Sequence, residues 1–349
     1  MAAQPRRTPE REAFYDKIAA QSLAPLWEIL KGIQTSEPRP PEAPALWRYE
    51  EIRPMLMEAG ALITAMEADR RVLMLENPAL RGQMPPRVTH SLFAGLQLIM
   101  PGEIAPSHRH TQSALRFIIE GEGAYTAVDG ERTTMRPGDF VITPCWTWHD
   151  HGNETDQPMV WLDGLDVPLV DLLNAVFFEP YGEDQFPVAR PEGDAAARFG
   201  SGLLPVDYER RSPTTPILNY TYERTREALE QIRRSGECDP CHGFKMRYVN
   251  PITGDWAMPT MGTAMQLLPR GFSATPYRST DSTVFVVVEG SGRTVIGGDA
   301  LQWHPHDVFI VPSWRSYHHE AAEDAVLFSF SDRPVQEKLG LWREQRARN

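Results

Sequence analysis

An all-β fold of two small barrels in tandem, entered through a helical segment, is predicted by three features of the sequence. From about Ser91 the chain reads as short alternating runs cut by Gly, Pro and Asp-Gly, the texture of antiparallel strands. A weak internal repeat then appears. Phe117-Ile-Ile-Glu-Gly-Glu-Gly123, a hairpin and Arg136-Pro-Gly-Asp-Phe-Val-Ile-Thr-Pro144 return as Val286-Val-Val-Glu-Gly-Ser-Gly292, a hairpin and His304-Pro-His-Asp-Val-Phe-Ile-Val-Pro312. Upstream, residues 10–34 mix apolar and charged positions at helical spacing.

Taken in order, residues 1–87 are expected to be helical and extended, with the Pro-rich stretch Glu37 to Pro44 stopping any helix and acting as a stiff spacer. Residues 88–170 form the first barrel, with a hairpin turn at Val128-Asp-Gly-Glu131. Residues 171–255 form a connector rich in Pro and Gly with a helix from Thr221 to Arg234, residues 256–333 the second barrel, and residues 334–349 a tail helix.

With 349 residues the chain can bury two cores. Its net charge of -12 leaves no basic stripe for phosphates, so nucleic acid is not an expected partner, and an anionic substrate must be attracted locally. No run reaches the roughly 18 apolar residues that span a bilayer. The N-terminus interleaves Arg, Asp and Glu without an apolar core, so a cytoplasmic address is expected. Three cysteines make no disulfide framework.

The chemistry concentrates in Pro106-Ser-His108-Arg-His110. Two residues apart on a strand, both imidazoles point to one face, a geometry suited to chelation. The same parity carries Gln112, Ala114 and Arg116 to that face. Downstream, Gly138-Asp-Phe-Val-Ile-Thr-Pro144-Cys-Trp-Thr-Trp-His149 sets a third histidine just past a strand, with His151 on its face and Asn153 beyond. The bland reading is that a single His-x-His is more often incidental, and that an inward Arg pairs with a structural carboxylate. Three histidines, the Gly-to-Pro spacing and the repeat together favour a metal.

These segments resemble the two cupin motifs, G-x5-H-x-H-x3,4-E-x6-G and G-x5-P-x-G-x2-H-x3-N, with Ala114 where a carboxylate ligand is usual and Trp146 in place of a glycine. A divalent ion held by three neutral imidazoles keeps its +2 charge and about three open positions, and so favours an anionic bidentate ligand. Arg116 pointing into the same barrel would be costly without an anionic partner. A carboxylate beside a phenolic oxygen satisfies both. Aligning the repeats puts Tyr277, Ser279 and Tyr317 where the first copy has His108, His110 and His149, so only one metal is expected. His304, His306, His318 and His319 read as polar loop histidines.

From Pro25-Leu-Trp27 to Phe330 the chain resembles the gentisate 1,2-dioxygenase family, a group that includes salicylate and 1-hydroxy-2-naphthoate dioxygenases. The resemblance is carried by the segment from His108 to Phe117, Arg70-Arg71-Val-Leu-Met-Leu-Glu-Asn-Pro78, Ala94-Gly-Leu-Gln97, Trp161-Leu-Asp163-Gly-Leu-Asp166 and Arg247-Tyr-Val-Asn-Pro-Ile-Thr-Gly254. It implies that His108, His110 and His149 ligate one Fe(II), and that Arg116 with an arginine of the Arg70/Arg71 pair orients the substrate carboxylate. Gln97, His151 and Asp163 would supply hydrogen bonds, and Phe93, Trp146 and Trp148 would line the ring slot. It also implies cleavage by O2 between the carboxyl-bearing and adjacent hydroxyl-bearing carbons, and a homotetramer.

For each side chain a plainer role stands beside this one: surface charge for Arg70 and Arg71, a turn for Asp163, a satisfied amide for Gln97, core packing for the aromatics. Cys238-Asp-Pro-Cys241-His242 has c-type haem spacing, but its loop setting and the missing export signal argue against that use. The competing classes are a metal-dependent cupin isomerase or decarboxylase and a non-catalytic binding bicupin, neither of which consumes oxygen.

Overall fold

Both predicted barrels are present in the computed structural model, which describes residues 8–347. In the first, a six-stranded sheet runs Asn219–Tyr220, Phe140–Thr143, Ala114–Glu120, Met159–Leu165, Phe93–Ile99, Val72–Met74. It faces a five-stranded sheet of Phe178–Pro180, Ile104–His110, His149–Gly152, Tyr125–Val128, Glu131–Thr134. The second barrel repeats both orders. Its sheets are Ala45–Trp47, Val308–Val311, Thr283–Glu289, Ala325–Ser331, Gly262–Leu268, Phe244–Arg247, and Glu344–Arg346, Tyr277–Ser279, Tyr317–Ala321, Gly292–Ile296, Asp299–Trp303.

Strand alternation decides what each face does. Leu96, Leu98, Leu115, Phe117 and Leu162 turn outward from the first six-stranded sheet. They form one core with Met265, Leu267, Val284, Val286, Phe328 and Phe330 of the second. Phe117 stacks on Phe328 with ring centroids 4.3 Å apart. The sheets approach so closely that a Cβ on Gly164 would lie 2.8 Å from the Phe330 ring, which is why that position has no side chain. The opposite faces line the barrel interiors. Each holds its own apolar cluster, Ile118, Val141, Met159 and Trp161 in the first, Phe285, Trp303, Phe309 and Leu327 in the second.

The barrels also exchange strands, which corrects the expected boundaries. Ala45–Trp47, from the leading segment, pairs with Val308–Val311 of the second barrel, while Val72–Met74 joins the first. The expected connector gives Phe178–Pro180 and Asn219–Tyr220 to the first barrel and Phe244–Arg247 to the second. The tail helix is confined to Arg333–Lys338. Gly340, at φ +70°, turns the chain, and Glu344–Arg346 adds a strand beside Tyr277–Ser279.

Two helices repeat with the barrels. Helix Tyr49–Leu62 sets Tyr49 and Arg53, one turn apart, on Glu120, with Tyr49 Oη at 2.8 Å and the Arg53 fork at 2.6 and 2.7 Å. Helix Tyr222–Ser235, close to the predicted Thr221–Arg234, sets Tyr222 and Arg226 on Glu289, the equivalent glutamate. Neither helix has a side-chain cap of its own. The first amide of each instead donates to an aspartate of the other barrel, Tyr49 to Asp307 at 2.8 Å and Tyr222 to Asp139 at 2.9 Å. The repeat unit is therefore strand, helix and barrel, interlocked in both directions.

The described residues up to Arg39 are a separate unit of two helices, Pro9–Ala19 and Leu26–Ile33, in which Trp27 donates to the Tyr15 hydroxyl at 3.0 Å. Among the described residues no helix is long and apolar enough to cross a membrane.

Candidate metal centre

The strand Ile104–His110 carries His108 and His110 inward, and its register with His149–Gly152 sets His149 directly opposite His108. One ligand atom from each of the three lies within 4.8 Å of the others, the only such group of His, Cys, Asp or Glu among the described residues. The His110 Nδ1 is 2.8 Å from the Gln112 carbonyl and the His149 Nδ1 is 3.0 Å from that of Thr147. Each Nδ1–H donates to its carbonyl, which fixes the tautomer and leaves Nε2 with a bare lone pair. The His149 Nε2 is buried without any partner, as a ligand atom awaiting a cation would be.

At His108 two partners compete. Its Nδ1 is 3.2 Å from the Pro106 carbonyl, which needs an N–H, and 2.6 Å from Arg70 Nη2, which needs a lone pair. The N–H tautomer is the one that frees Nε2 toward the other two rings. Burial holds these imidazoles neutral, His108 down to about 2 and His110 to about 4, with His149 well below its ordinary value; the nearby charges of Arg70 and Arg116 push the same way. Neutral imidazoles are the metal-binding form, and the donor set fits a divalent ion with open positions.

Pairing across the six-stranded sheet builds the wall beside this group. Arg116 stands opposite Asp163, Gln97 opposite Trp161, and Val72 opposite Gln97, so all share the inner face. Buried Arg116 donates to Thr143 Oγ1 at 2.5 Å and lies 3.6 Å from Asp163, which also accepts the Trp161 indole N–H at 3.0 Å. Burial pushes the Asp163 carboxyl up to about 6, against the pull of Arg116. Arg70, two residues before Val72, reaches the same space and donates to the Pro106 carbonyl at 2.8 Å. Burial, then the charge of Arg116, lowers it to about 9. Two guanidiniums thus face one carboxylate, and the site draws anions before any metal is counted.

His151 completes the wall. Its Nδ1 is 2.9 Å from Thr126 Oγ1, its Nε2 is buried without a partner, and its ring centroid is 5.8 Å from that of His149.

Two expected substrate contacts lie elsewhere. Arg71 falls on the opposite parity from Arg70, bonds the Ile63 carbonyl at 2.6 Å and is ion-paired with Glu103. Trp146 sits in a turn at φ +59° and is exposed. Arg109, between the two ligand histidines, necessarily points out of the barrel, and its guanidinium lies 4.5 Å from the Trp146 ring and 4.4 Å from that of Trp148. Trp146 and Trp148 therefore do not line a ring slot, while Phe93 keeps the parity of Gln97.

Sequence reasoning missed Thr126, Thr143 and Phe178. The Phe178 ring lies 5.1 Å from that of His108, on a strand of three residues too short to show any periodicity. The Cys238 and Cys241 thiols are free, the first exposed and the second buried, and His242 packs on the Tyr277 ring at 4.5 Å.

Comparison with known proteins gives concordant matches. The cupin domain family matches residues 95–166. A gentisate 1,2-dioxygenase of Aquipseudomonas alcaligenes is 57% identical over 342 residues, 98% of each chain. A 5-aminosalicylate 1,2-dioxygenase of a Comamonas species is 39% identical over 96% of this chain and 90% of its own. The crystal structure of salicylate 1,2-dioxygenase from Pseudoaminobacter salicylatoxidans, solved as an adduct with gentisate, superposes with a TM-score of 0.93 at 35% identity, covering 100% of this chain and 97% of that one.

Proposed function

The chain belongs to the cupin family of gentisate and salicylate 1,2-dioxygenases, and on that premise we propose that it opens the ring of gentisate (2,5-dihydroxybenzoate), with His108, His110 and His149 holding one iron(II). The bond between the carboxyl-bearing carbon and its hydroxyl-bearing neighbour breaks, and both atoms of O2 enter the product, maleylpyruvate. The carrying observation is the three-imidazole group lying beside two inward arginines. The higher identity to a gentisate enzyme than to those for other hydroxylated acids favours gentisate over salicylate or 1-hydroxy-2-naphthoate.

Iron(II), when bound, supplies a redox-active centre at which the substrate and oxygen meet. The chain's own residues prepare that meeting. Arg116, held by Thr143 and Asp163, offers a fixed guanidinium to the substrate carboxylate and needs little reorganisation on binding. Arg70 supplies a second cation by leaving the Pro106 carbonyl. His151 presents its unpartnered Nε2 to a ring hydroxyl or to oxygen, oriented from behind by Thr126. Gln97 and Asp163 add hydrogen-bonding groups on the same wall. A homotetramer in the cytoplasm belongs to the same reading; the exposed run Leu172, Leu173, Val176, Phe177 and Phe178 is apolar surface of the kind a second copy covers.

Anaerobic reconstitution of metal-free protein with ferrous ion, followed by oxygen-electrode traces, tests the assignment. Oxygen uptake should match gentisate consumed, mole for mole. Absence of uptake with gentisate, salicylate and 1-hydroxy-2-naphthoate alike would remove it.

A further inference from the structure

The second barrel has lost the metal group but keeps a chamber in the corresponding place. Tyr277 faces Tyr317 in the register by which His108 faces His149, and Glu344–Arg346 lies along Tyr277–Ser279 as Phe178–Pro180 lies along the histidine strand. The space is a partly open chamber of about 210 Å³, with Lys245, Trp256, Tyr277, Ser279, Tyr317 and Arg346 in its wall.

Most charged groups in that wall have a hydrogen-bonded partner. Arg346 bonds Asp239 at 2.6 Å, Arg333 bonds Glu337 at 2.7 Å, Glu344 accepts the Tyr277 hydroxyl at 3.0 Å, and Asp281 accepts the Trp342 indole N–H at 2.9 Å. Lys245 is the exception: among the described residues its ammonium has no carboxylate within 4.0 Å and no hydrogen-bond acceptor. The Phe285 ring, 6.0 Å away, is at the outer limit of a cation–π contact and does not replace an anion. Nearby polar atoms are equally unanswered. Gln266, opposite Lys245 in the register, has both amide atoms buried without partners, as are Nδ1 of His242 and Nε2 of His319. Lys245 is half-buried, and burial lowers its ammonium to about 8 against the pull of the Asp281 carboxylate across the chamber.

We propose that the second barrel binds a small aromatic monocarboxylate, with its carboxylate on Lys245 and its ring among Trp256, Tyr277 and Tyr317. Among the described residues Lys245 is the wall cation with no carboxylate in contact, and it offers the single charged contact that one carboxylate group needs. The three ring systems suit a flat body, and the chamber, smaller than the roughly 300–1,000 Å³ of drug-sized pockets, holds about a single ring. The site is one of binding only and stands apart from the reaction in the first barrel.

Crystals of the full-length, metal-loaded protein grown with 4-bromobenzoate, with data collected at the bromine edge, locate the ligand directly. A bromine peak in the second barrel beside Lys245 is expected, together with a matching binding event for benzoate in anaerobic calorimetry. Lys245→Met should erase that peak and weaken that event at least about tenfold, the loss of one charge-assisted contact. Turnover should be unchanged. The variant's unfolding temperature should not fall, because a half-buried cation with no carboxylate in contact has been replaced by an apolar chain of similar length. A wild-type second barrel without bromine at saturating ligand overturns the proposal. So does a bromine peak that survives in Lys245→Met, or inorganic phosphate displacing benzoate from Lys245. None of these readouts depends on oxygen consumption, so this site and the dioxygenase reading can fail separately.

Discussion

The two barrels share strand order and register yet are filled in opposite ways. Where the first has His108, His110 and His149, the second has Tyr277, Ser279 and Tyr317; where the first sets Arg116 against Asp163, the second sets Phe285 against Ser329. Phe285 stacks on Phe309 at 4.9 Å and stabilises its barrel by ordinary burial. Arg116 and Asp163 are both buried, and an ion pair taken out of water recovers little of its desolvation cost. One pair survives in both: Thr126 with His151, Thr294 with His319, at 2.9 and 2.8 Å. The frame therefore dictates positions rather than chemistry, and the costly groups are concentrated where a ligand compensates them.

That contrast is broken most directly at its centre. His149→Ala should reduce bound metal, measured by elemental analysis, to background and abolish oxygen uptake, with only a small change in stability. Tyr317→Ala, at the equivalent position, should keep metal and activity but lose about 3–5 kcal/mol in denaturant unfolding, the cost of emptying a buried aromatic site. If Tyr317→Ala also loses its metal, the barrels are not independent in function.

The next effect belongs to Arg116. Truncating one member of a buried charge pair costs roughly 2–5 kcal/mol, so Arg116→Met should lower kcat/KM by tens to thousands of fold. Most of that should appear in KM, since the lost interaction is capture of the carboxylate. An unchanged KM would mean that Arg116 serves only Asp163.

Asp163 adds a pH signature that Ser329 cannot. Its carboxyl, raised to about 6 by burial, must be ionised to hold Arg116, so activity should fall as pH drops through about 6. The imidazoles are not the cause, because burial holds them neutral to lower pH. Stability should move the other way. An unfolded Asp titrates near 3.9, so between about 4 and 6 the folded state binds the extra proton, and this group favours folding more as pH falls. Asp150 and Asp166 are also raised to about 6, which makes the variant necessary. Asp163→Asn should flatten the acid limb of kcat/KM; a limb that persists belongs to another group.

Much of this arrangement was legible in the sequence, and the misses have physical causes. Two-residue spacing placed His108 and His110 on one face, and the Glu-Gly-x-Gly repeat gave the second barrel and its missing ligands. Arg70 and Arg71 could not be told apart, because they precede a strand of only three residues and nothing local fixes its parity. Trp146 escaped because a turn residue at positive φ follows no strand alternation. The exchanged strands Ala45–Trp47 and Asn219–Tyr220 carry no local mark of their partners. The helices did carry one that went unread: Tyr49-Glu-Glu-Ile-Arg53 and Tyr222-Glu-Arg-Thr-Arg226 share Tyr-Glu-x-x-Arg, the spacing that puts both donors on one glutamate.

That shared clamp supplies the smallest and most symmetrical test. Glu120→Gln and Glu289→Gln should each cost about 1 kcal/mol in unfolding, since both glutamates are partly exposed and water screens the pairs. The Glu120 variant should lose more: its Arg53 contacts are 2.6 and 2.7 Å, whereas Arg226 reaches Glu289 at 3.2 and 3.3 Å. The two losses should add in the double variant if each clamp fastens only its own barrel. Only the first clamp holds the helix that leads into Arg70, so a modest rise in KM should follow Glu120→Gln and not Glu289→Gln. Equal KM values in the two variants would show that Arg70 is held by its own contacts with the Asp69 and Pro106 carbonyls, and that the helices serve stability without reaching the site.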